Sequence, residues 1–195
     1  YSVHRNRIAR LRSHRNIETL YNRAERNNGM TAKEVRNIIS RRLHGFIGQP
    51  VILHEQDVGE PAPPLLYYRF ISPLIPLGGA SIWHEGGKQY RREPTETTMS
   101  ITAVSYDRNS SNGYIHGDDE ALELAERAIS WMLHIGRHDL LLEGITVVEI
   151  SNVQCRSNLM INEVARQYGF DVRLRFERTT IIDMQDIKDG NIKKN

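Results

Sequence analysis

The sequence predicts an α/β protein in which two amphipathic helices cover a β-sheet. The first observation is the stretch from Tyr168 to Phe176, where apolar and charged residues alternate with the period of two that is typical of a strand with one buried face. The second is a pair of segments whose apolar residues recur at helical spacing. Burying Phe170, Val172, Leu174 and Phe176 contributes roughly 6–12 kcal/mol, so this strand can anchor the sheet.

The first helix begins with a capping box. Thr31 is followed three residues later by Glu34, so that each side chain can satisfy a backbone N–H at the helix start. Gly45 and Gly48 are expected to end the helix. Its predicted apolar face consists of Val35, Ile38, Ile39, Leu43 and Phe46.

Four further segments are predicted to be strands because they are rich in β-branched and aromatic residues. Pro73 and Pro76 are expected to end the second of them. The last segment and the Tyr168–Phe176 strand are close in sequence, which favours antiparallel pairing between them. The four segments are Gln49–Leu53, Leu65–Ser72, Thr97–Tyr106 and Ile145–Val153.

The second helix follows a polar loop at residues 107–117. Asp118 or Asp119 is expected to cap its start, and Gly136 is expected to end it. The predicted apolar stripe consists of Leu122, Ala125, Ile129, Met132 and Leu133.

The stretch from Gly78 to Glu96 is too long and too rich in glycine for an ordinary connection. We expect a projecting hairpin or a functional loop here, with a mixed charge cluster around two aromatic side chains. Its candidate contact residues are Trp83, Tyr90, Arg91 and Arg92.

Positive charge is concentrated at the start of the chain. Residues 1–29 contain seven arginines and two glutamates, a balance of +5, whereas the whole chain carries +2 and the remainder therefore about −3. We predict a basic arm at residues 1–30, a domain at 31–182 and a polar, lysine-rich tail at 183–195. The candidate contact residues of the arm are Arg5, Arg7, Arg10, Arg12 and Arg15.

The single cysteine, Cys155, excludes an internal disulfide and a cysteine metal cluster. As a lone thiol, Cys155 is interpreted as small packing material rather than as a nucleophile. Apolar runs fall far short of the roughly 20 residues that span a bilayer, and arginines interrupt the start throughout. We therefore expect no membrane partner and a chain made in a reducing cytoplasm.

No constellation of catalytic, cofactor-binding or metal-binding residues emerges from the sequence. His134 and His138 have the spacing of helical zinc ligands, but Gly136 separates them and Ile135 stands where a zinc protease has glutamate. No phosphate-binding glycine loop follows a strand. We predict that the protein is not an enzyme and uses no cofactor.

Several of these segments in this order resemble the phage neck or tail terminator family, and the resemblance spans about residues 31–182. The most specific block is NEVARQYGFDVRLRF. The others are the capped helix, PAPPLLYYRFIS, TTMSITAVSYD, ALELAERAISWML and GITVVEISNVQCRSN.

The resemblance implies a single mixed, mostly antiparallel sheet flanked by two helices, and subunits assembled as a hexameric ring. Such a ring caps the tail tube, stops its polymerisation and provides the docking surface for the connector or stopper protein on the head side. A sheath protein would be a further partner in a contractile tail. The protein would be a virion component assembled in the host cytoplasm. The candidate subunit or partner contacts on the last strand are Arg173, Arg175 and Glu177, although Arg173 and Arg175 also fit a solvated strand face.

Two alternatives stay open at this point. The first is a small α/β adaptor that binds nucleic acid through its basic arm, for which the affinity should fall steeply with salt. In a ring, the same arm could contact DNA in the lumen or an acidic surface of a neighbouring protein. The second alternative is an enzyme with a site around His84 or His134.

Overall fold

The computed structural model describes residues 29–54, 61–111, 113–157 and 165–184. Most of the predicted arm and all of the predicted tail beyond Met184 lie outside these ranges. The described helices are α1 (Ala32–Ile47), α2 (Gly117–Leu133) and α3 (Ile135–Leu142). The described strands are β1 (Val51–Leu53), β2 (Leu65–Pro76), β3 (Ser81–Glu85), β4 (Lys88–Ser105), β5 (Arg108–Ser110), β6 (Gly113–Ile115), β7 (Thr146–Ile150), β8 (Gln154–Cys155) and β9 (Arg166–Asp183).

Seven of these strands form one sheet in the order β1-β2-β4-β9-β7, with β3 added to β4 and β8 added to β9. The β1–β2 pair is parallel and the other pairs are antiparallel. The prediction of a mixed, mostly antiparallel sheet is therefore confirmed. The predicted antiparallel pairing of the last two segments is confirmed as β7 on β9, while β5 and β6 form a separate hairpin within the predicted loop 107–117.

The central ladder joins β4 and β9. The two 18-residue strands pair without a register shift from Lys88 opposite Asp183 to Ser105 opposite Arg166. The predicted alternation on β9 is confirmed, because Phe170, Val172 and Leu174 are fully buried. We call the sheet side that these residues share with the helices the helical face, and the other side the open face.

Helix α1 forms as its capping signal predicts. The Thr31 hydroxyl accepts from the Glu34 backbone N–H, and the Glu34 carboxylate accepts from the Thr31 backbone N–H at 2.7 Å. Gly48 ends the helix in a left-handed conformation, with φ 76°. The apolar face differs from the prediction at one end, because Phe46 is 43% exposed and Ile47 is buried in its place.

The N-terminal cap and the buried face of α2 both differ from the sequence prediction. Asp118 and Asp119 lie in the first turn, and neither caps the helix. Instead, Asp107 accepts from the Gly117 N–H at 2.7 Å, and this bond lowers the pKa of the Asp107 carboxyl. The buried face is displaced from the predicted stripe because small residues allow the helix to approach the sheet. It consists of Gly117, Ala121, Leu124, Ala125, Ala128, Trp131 and Met132.

The first turn of α2 is also fixed by an ion pair that makes folding dependent on pH. Arg108 donates two hydrogen bonds to Glu120, at 2.7 and 2.9 Å, and the Ser105 hydroxyl donates a third. The bonds from Arg108, and then that from Ser105, lower the pKa of Glu120 against the opposing effect of burial. The stabilisation is complete above the unfolded pKa of about 4.3 and is lost as pH falls through the lower folded pKa.

We therefore expect Glu120→Gln to reduce the loss of stability between about pH 5 and pH 3. At pH 7 the substitution should lower the free energy of unfolding by about 1–2 kcal/mol, because charged hydrogen bonds are lost. Urea unfolding at several pH values measures both effects. Glu123→Gln, at an exposed position on the same helix, is the matched control. A pH profile for Glu120→Gln as steep as that of the unsubstituted protein would contradict this role.

Two helices were predicted where the described residues contain three. Helix α2 ends at Leu133, the chain turns at His134, and α3 begins at Ile135. Gly136 is therefore not a helix end. It lies within α3 against the indole ring of Trp131, where a Cβ would come within 2.3 Å of two ring carbons. The glycine permits close packing of the two helices.

Pro73 does not end β2 as predicted, whereas Pro76 does. The pairing of β2 with β4 shifts register between Phe70 and Ser72 and again between Ser72 and Ile75. Pro73 lies within this irregularity, and Pro76 is the last residue of the strand. A missing N–H therefore costs no regular ladder bond at either position.

In the described part of the chain, no helix is both long and apolar enough to cross a membrane.

Candidate interaction surface

The most exposed part of the sheet is a three-stranded ribbon at one end of the β4–β9 ladder. It consists of β3, the first five residues of β4 and the last five of β9, which pair in five rows from Ser81–Arg92–Thr179 to Glu85–Lys88–Asp183. We call it the strand extension. Gly86 and Gly87 connect β3 to β4 with φ values of 58° and 77°, as a two-residue hairpin turn requires. The prediction of a projecting hairpin is confirmed.

None of the three described helices contributes core packing to the strand extension. On the helical face, the core cluster ends with Phe176 of β9 and includes no residue of the extension. Ile82, which is 56% exposed, and Ile182 lie on this face. Both faces of the extension therefore carry apolar side chains that the described part of the chain leaves uncovered.

The candidate aromatic residues meet on the open face of the extension. The rings of Trp83 and Tyr90 stack with centroids 5.2 Å apart and planes 9° apart. The Arg92 guanidinium lies 5.3 Å from the centre of the Trp83 ring, within the range of a cation–π interaction. Ile181 is paired with Tyr90 and completes the row across the three strands. The stacked rings form an amphipathic patch on the open face.

Two buried glutamates lie at the base of the extension, one on each face of the sheet. On the helical face, Glu93 pairs with Arg91 at 3.0 Å and Arg178 at 3.6 Å. On the open face, Glu96 pairs with Arg175 at 2.7 Å and Arg173 at 4.0 Å. The cross-strand pairing of β4 with β9 brings these charges together.

Arg173, Arg175 and Glu177, predicted as contacts of a subunit or partner, all lie on the open face. Arg173 also pairs with Glu149 of β7 at 3.5 Å, and Glu177 lies 3.7 Å from Arg92. The two arginines keep about half of their side-chain surface exposed. They are thus ion-paired within the chain and accessible at the same time. Their role in an interface stays a prediction.

A groove of about 430 Å³ lies on the open face near the other end of the sheet. Arg156 crosses it, donating to Asp171 at 2.8 Å, Thr102 at 3.0 Å and Ser100 at 2.5 Å. The guanidinium is thus occupied by partners within the chain. The groove residues are His54, Tyr67, Tyr68, Arg69, Ile71, Ser100, Thr102, Arg156, Gln167 and Asp171.

The other candidate positions do not converge on a reaction centre. His84 lies on the strand extension and His134 at the α2–α3 turn, far apart in the fold. Within the described ranges, no group of histidine, cysteine, aspartate or glutamate side chains is placed to hold a metal ion. The arm residues Arg5, Arg7, Arg10, Arg12 and Arg15 lie outside the described residues.

The prediction that Cys155 is packing material is wrong. Cys155 is exposed on the short strand β8, which pairs with Gly169 and Tyr168 at the edge of the sheet. Its thiol lies 3.5 Å from the Ser157 hydroxyl, and this contact lowers the pKa of the thiol. The prediction failed because the chain neighbours Gln154 and Arg156 are polar and a two-residue edge strand buries neither face.

Comparison with known proteins identifies the family. A family model described as phage neck terminator protein matches residues 33–195, well over half of the chain and every described strand. A search of curated proteins found no significant match. The family match confirms the resemblance drawn from the sequence and assigns the chain a structural role at the neck of the virion. This protein therefore belongs to the phage neck terminator family.

Proposed function

We propose that this protein forms a closed hexameric ring that caps the tail tube, stops its polymerisation and presents a docking surface to the head connector. The strand extension is the observation that carries the proposal. Its backbone is continuous with the core, while the described residues leave its side chains uncovered on both faces, as expected of a contact surface.

A neighbouring subunit would supply the packing that the extension lacks. Small sheets depend on a hydrophobic face or on packing against a helix for their stability in water. Ile82 and Ile182 lie on one face, and Trp83, Tyr90 and Ile181 lie on the other. A protein–protein contact that buries these groups would follow the usual composition of interfaces, in which aromatic and arginine side chains dominate.

A closed ring also needs a second, different patch, because its subunits meet head to tail. The corner between α2 and α3 offers one. Leu133 and Ile135 are 46% and 60% exposed there, and Leu142, at the other end of α3, is 51% exposed. Exposed apolar side chains grouped in this way mark interaction surfaces.

The other predicted partners fit the open face. Glu149, Arg173, Arg175, Glu177 and Arg92 form a mixed, partly exposed charge surface on strands β4, β7 and β9. Such a surface suits polar contact with a tail tube protein or a head connector, because paired charges set the register of an interface more than its strength. The basic arm adds a contact for a neighbouring neck protein or for DNA in the lumen, and a sheath protein is a partner in a contractile tail.

The mass of the purified protein in solution, combined with electron microscopy of the protein alone and with tail tubes, tests this function. Six-fold rings, free or on tube ends, are the expected result. A chain that remains monomeric and never binds tube ends would overturn the proposal. Deleting residues 1–28 separates the roles of the arm. Rings that survive the deletion, with binding to nucleic acid lost, would assign the arm to DNA.

We expect Trp83→Ala to weaken ring formation or tube capping by at least about tenfold, because aromatic side chains at the centre of an interface commonly contribute 2 kcal/mol or more. The concentration at which rings dissociate measures the effect. Tyr114→Ala removes an aromatic side chain that is 55% exposed on β6, outside the extension, and serves as the control. Equal behaviour of the two variants would exclude Trp83 from the contact.

A further inference from the structure

The two outer edges of the strand extension have backbone groups that the described residues do not pair. On the β3 side, the orientation of Pro94 shows which backbone groups face outward. The Pro94 carbonyl accepts from the Leu77 N–H and therefore points away from β9. Arg92, Tyr90 and Lys88 precede Pro94 in steps of two residues, so their backbone groups point the same way, toward β3. Their partners on β3 are Ser81, Trp83 and Glu85. The backbone groups of Ile82 and His84 therefore face outward.

The same reasoning applies to β9. Glu177 is opposite Pro94, and its carbonyl accepts instead from the Met30 N–H at 2.8 Å on the outer side. Thr179, Ile181 and Asp183 have the same orientation because the ladder has no register shift. Gly29 lies against Thr179, where a Cβ would come within 2.2 Å of the backbone nitrogen. Among the described residues, nothing pairs with the outward groups of Ile181 and Asp183.

Apart from the carboxylates of Glu85 and Asp183 at the tip, neither edge carries the devices that keep a strand edge from pairing. Proteins usually protect exposed edges with lysine, proline or a bulge. The β9 edge reads Thr179, Thr180, Ile181, Ile182, and the β3 edge reads Ser81 to Glu85, without lysine or proline in either. The β-branched residues of the first edge favour pairing further. An edge left open in this way is expected to be covered by another strand in the working assembly.

We propose that β3 of one subunit pairs with β9 of the next, so that the strand extensions join edge to edge into one continuous sheet around the ring. The inference rests on the proposed hexameric ring and names its contact. The two edges lie on opposite sides of one ribbon, in the same five rows. Within one subunit they therefore cannot pair with each other, whereas the β3 edge of one subunit can pair with the β9 edge of the next. They also form the two different surfaces that a head-to-tail contact requires. Both strands are antiparallel to β4, so the new pairing is parallel.

Proline substitution at the outward positions tests this pairing without touching the ladder of the subunit. Ile82→Pro and Ile181→Pro each remove an outward N–H that no described residue of the chain accepts. Each is expected to raise the concentration at which rings dissociate by at least about tenfold. Circular dichroism and thermal unfolding of the variants verify that the subunit is intact. Ile82→Ala and Ile181→Ala keep the N–H, lose the side chain and should weaken rings less.

A covalent test covers the case in which the proline variants fail to fold. In a Cys155→Ser background, His84→Cys and Ile182→Cys place one thiol on each edge, on the same face of the ribbon. Oxidation should give a ladder of linked subunits up to six in denaturing gels, whereas either single cysteine should stop at dimers. Rings that survive both proline substitutions and give no ladder of linked subunits would overturn the edge-to-edge pairing but not the ring. The same result is expected if the chain's own residues before Gly29 cover the β9 edge. A chain that forms no rings, even on tube ends, would overturn the ring and this contact with it.

Discussion

Replacing Arg175 by methionine is expected to lower the free energy of unfolding by about 2–4 kcal/mol. Arg175 binds Glu96 through two nitrogens, at 2.7 and 3.0 Å, and the Glu96 side chain is only 7% exposed. Without Arg175, the carboxylate would stay buried with Arg173 at 4.0 Å as its remaining ion partner in the described part of the chain. A buried charge that loses its partner is costly, because water cannot replace the lost interaction. Urea unfolding at pH 7 measures the effect.

The matched control is the double variant Arg175→Met with Glu96→Met, which removes both charges. It should recover most of the lost stability, since replacing a buried ion pair by apolar residues is often neutral. Glu96→Gln alone should cost less than Arg175→Met, because the half-exposed arginines can return to water. If Arg175→Met changes the free energy of unfolding by less than about 0.5 kcal/mol, the ion pair behaves as a surface salt bridge and contributes little to stability.

Gly136→Ala is expected to destabilise the fold by about 2–3 kcal/mol, because the added methyl group overlaps the Trp131 ring. The ring is 2% exposed and part of the core cluster, so it has no room to move away. The α2–α3 corner would have to open, and it carries Leu133 and Ile135, which we place in the ring contact. Thermal unfolding and the concentration at which rings dissociate measure the two consequences.

Gly45→Ala provides the matched control within α1. Nothing lies within 4 Å of the position that its Cβ would occupy, and the helix continues on both sides. Alanine should therefore stabilise α1 by about 0.5–1 kcal/mol through its higher helix propensity. Equal melting temperatures for Gly136→Ala and the unsubstituted protein would show that the helices repack around the methyl group at no cost.

The elements that could be predicted from the sequence are those with a strong local signal. The alternation from Phe170 to Phe176 and the Thr31–Glu34 capping box act over a few residues, and both are confirmed. The errors arose where a distant contact decides. Gly136 looks like a helix end, but its role is set by the Trp131 ring. Asp118 was predicted to cap the helix, but the Gly117 N–H donates its hydrogen bond to Asp107, which lies 10 residues earlier in the chain.

The residues of the candidate surface were predicted only in part for the same reason. Trp83, Tyr90 and Arg92 stand out as aromatic and charged residues in a glycine-rich stretch. Glu93 and Glu96 do not, because a glutamate within a strand pattern gives no sign of burial. Their significance depends on the register that sets Glu96 opposite Arg175 and Glu93 opposite Arg178. Register is a property of the assembled sheet, and one residue of slippage would separate every one of these pairs.

The uninterrupted β4–β9 ladder also governs the order of folding. Lys88 and Asp183, which pair at the tip of the extension, are 95 residues apart in the chain. Contacts so distant in sequence form late, because a large loop must close before they contribute. Until β9 has paired with β4, the core lacks its central strand and the strand extension lacks one of its two edges. A nascent or partly folded chain therefore lacks the complete proposed contact surface, and we expect this to suppress premature association until the subunit has finished folding.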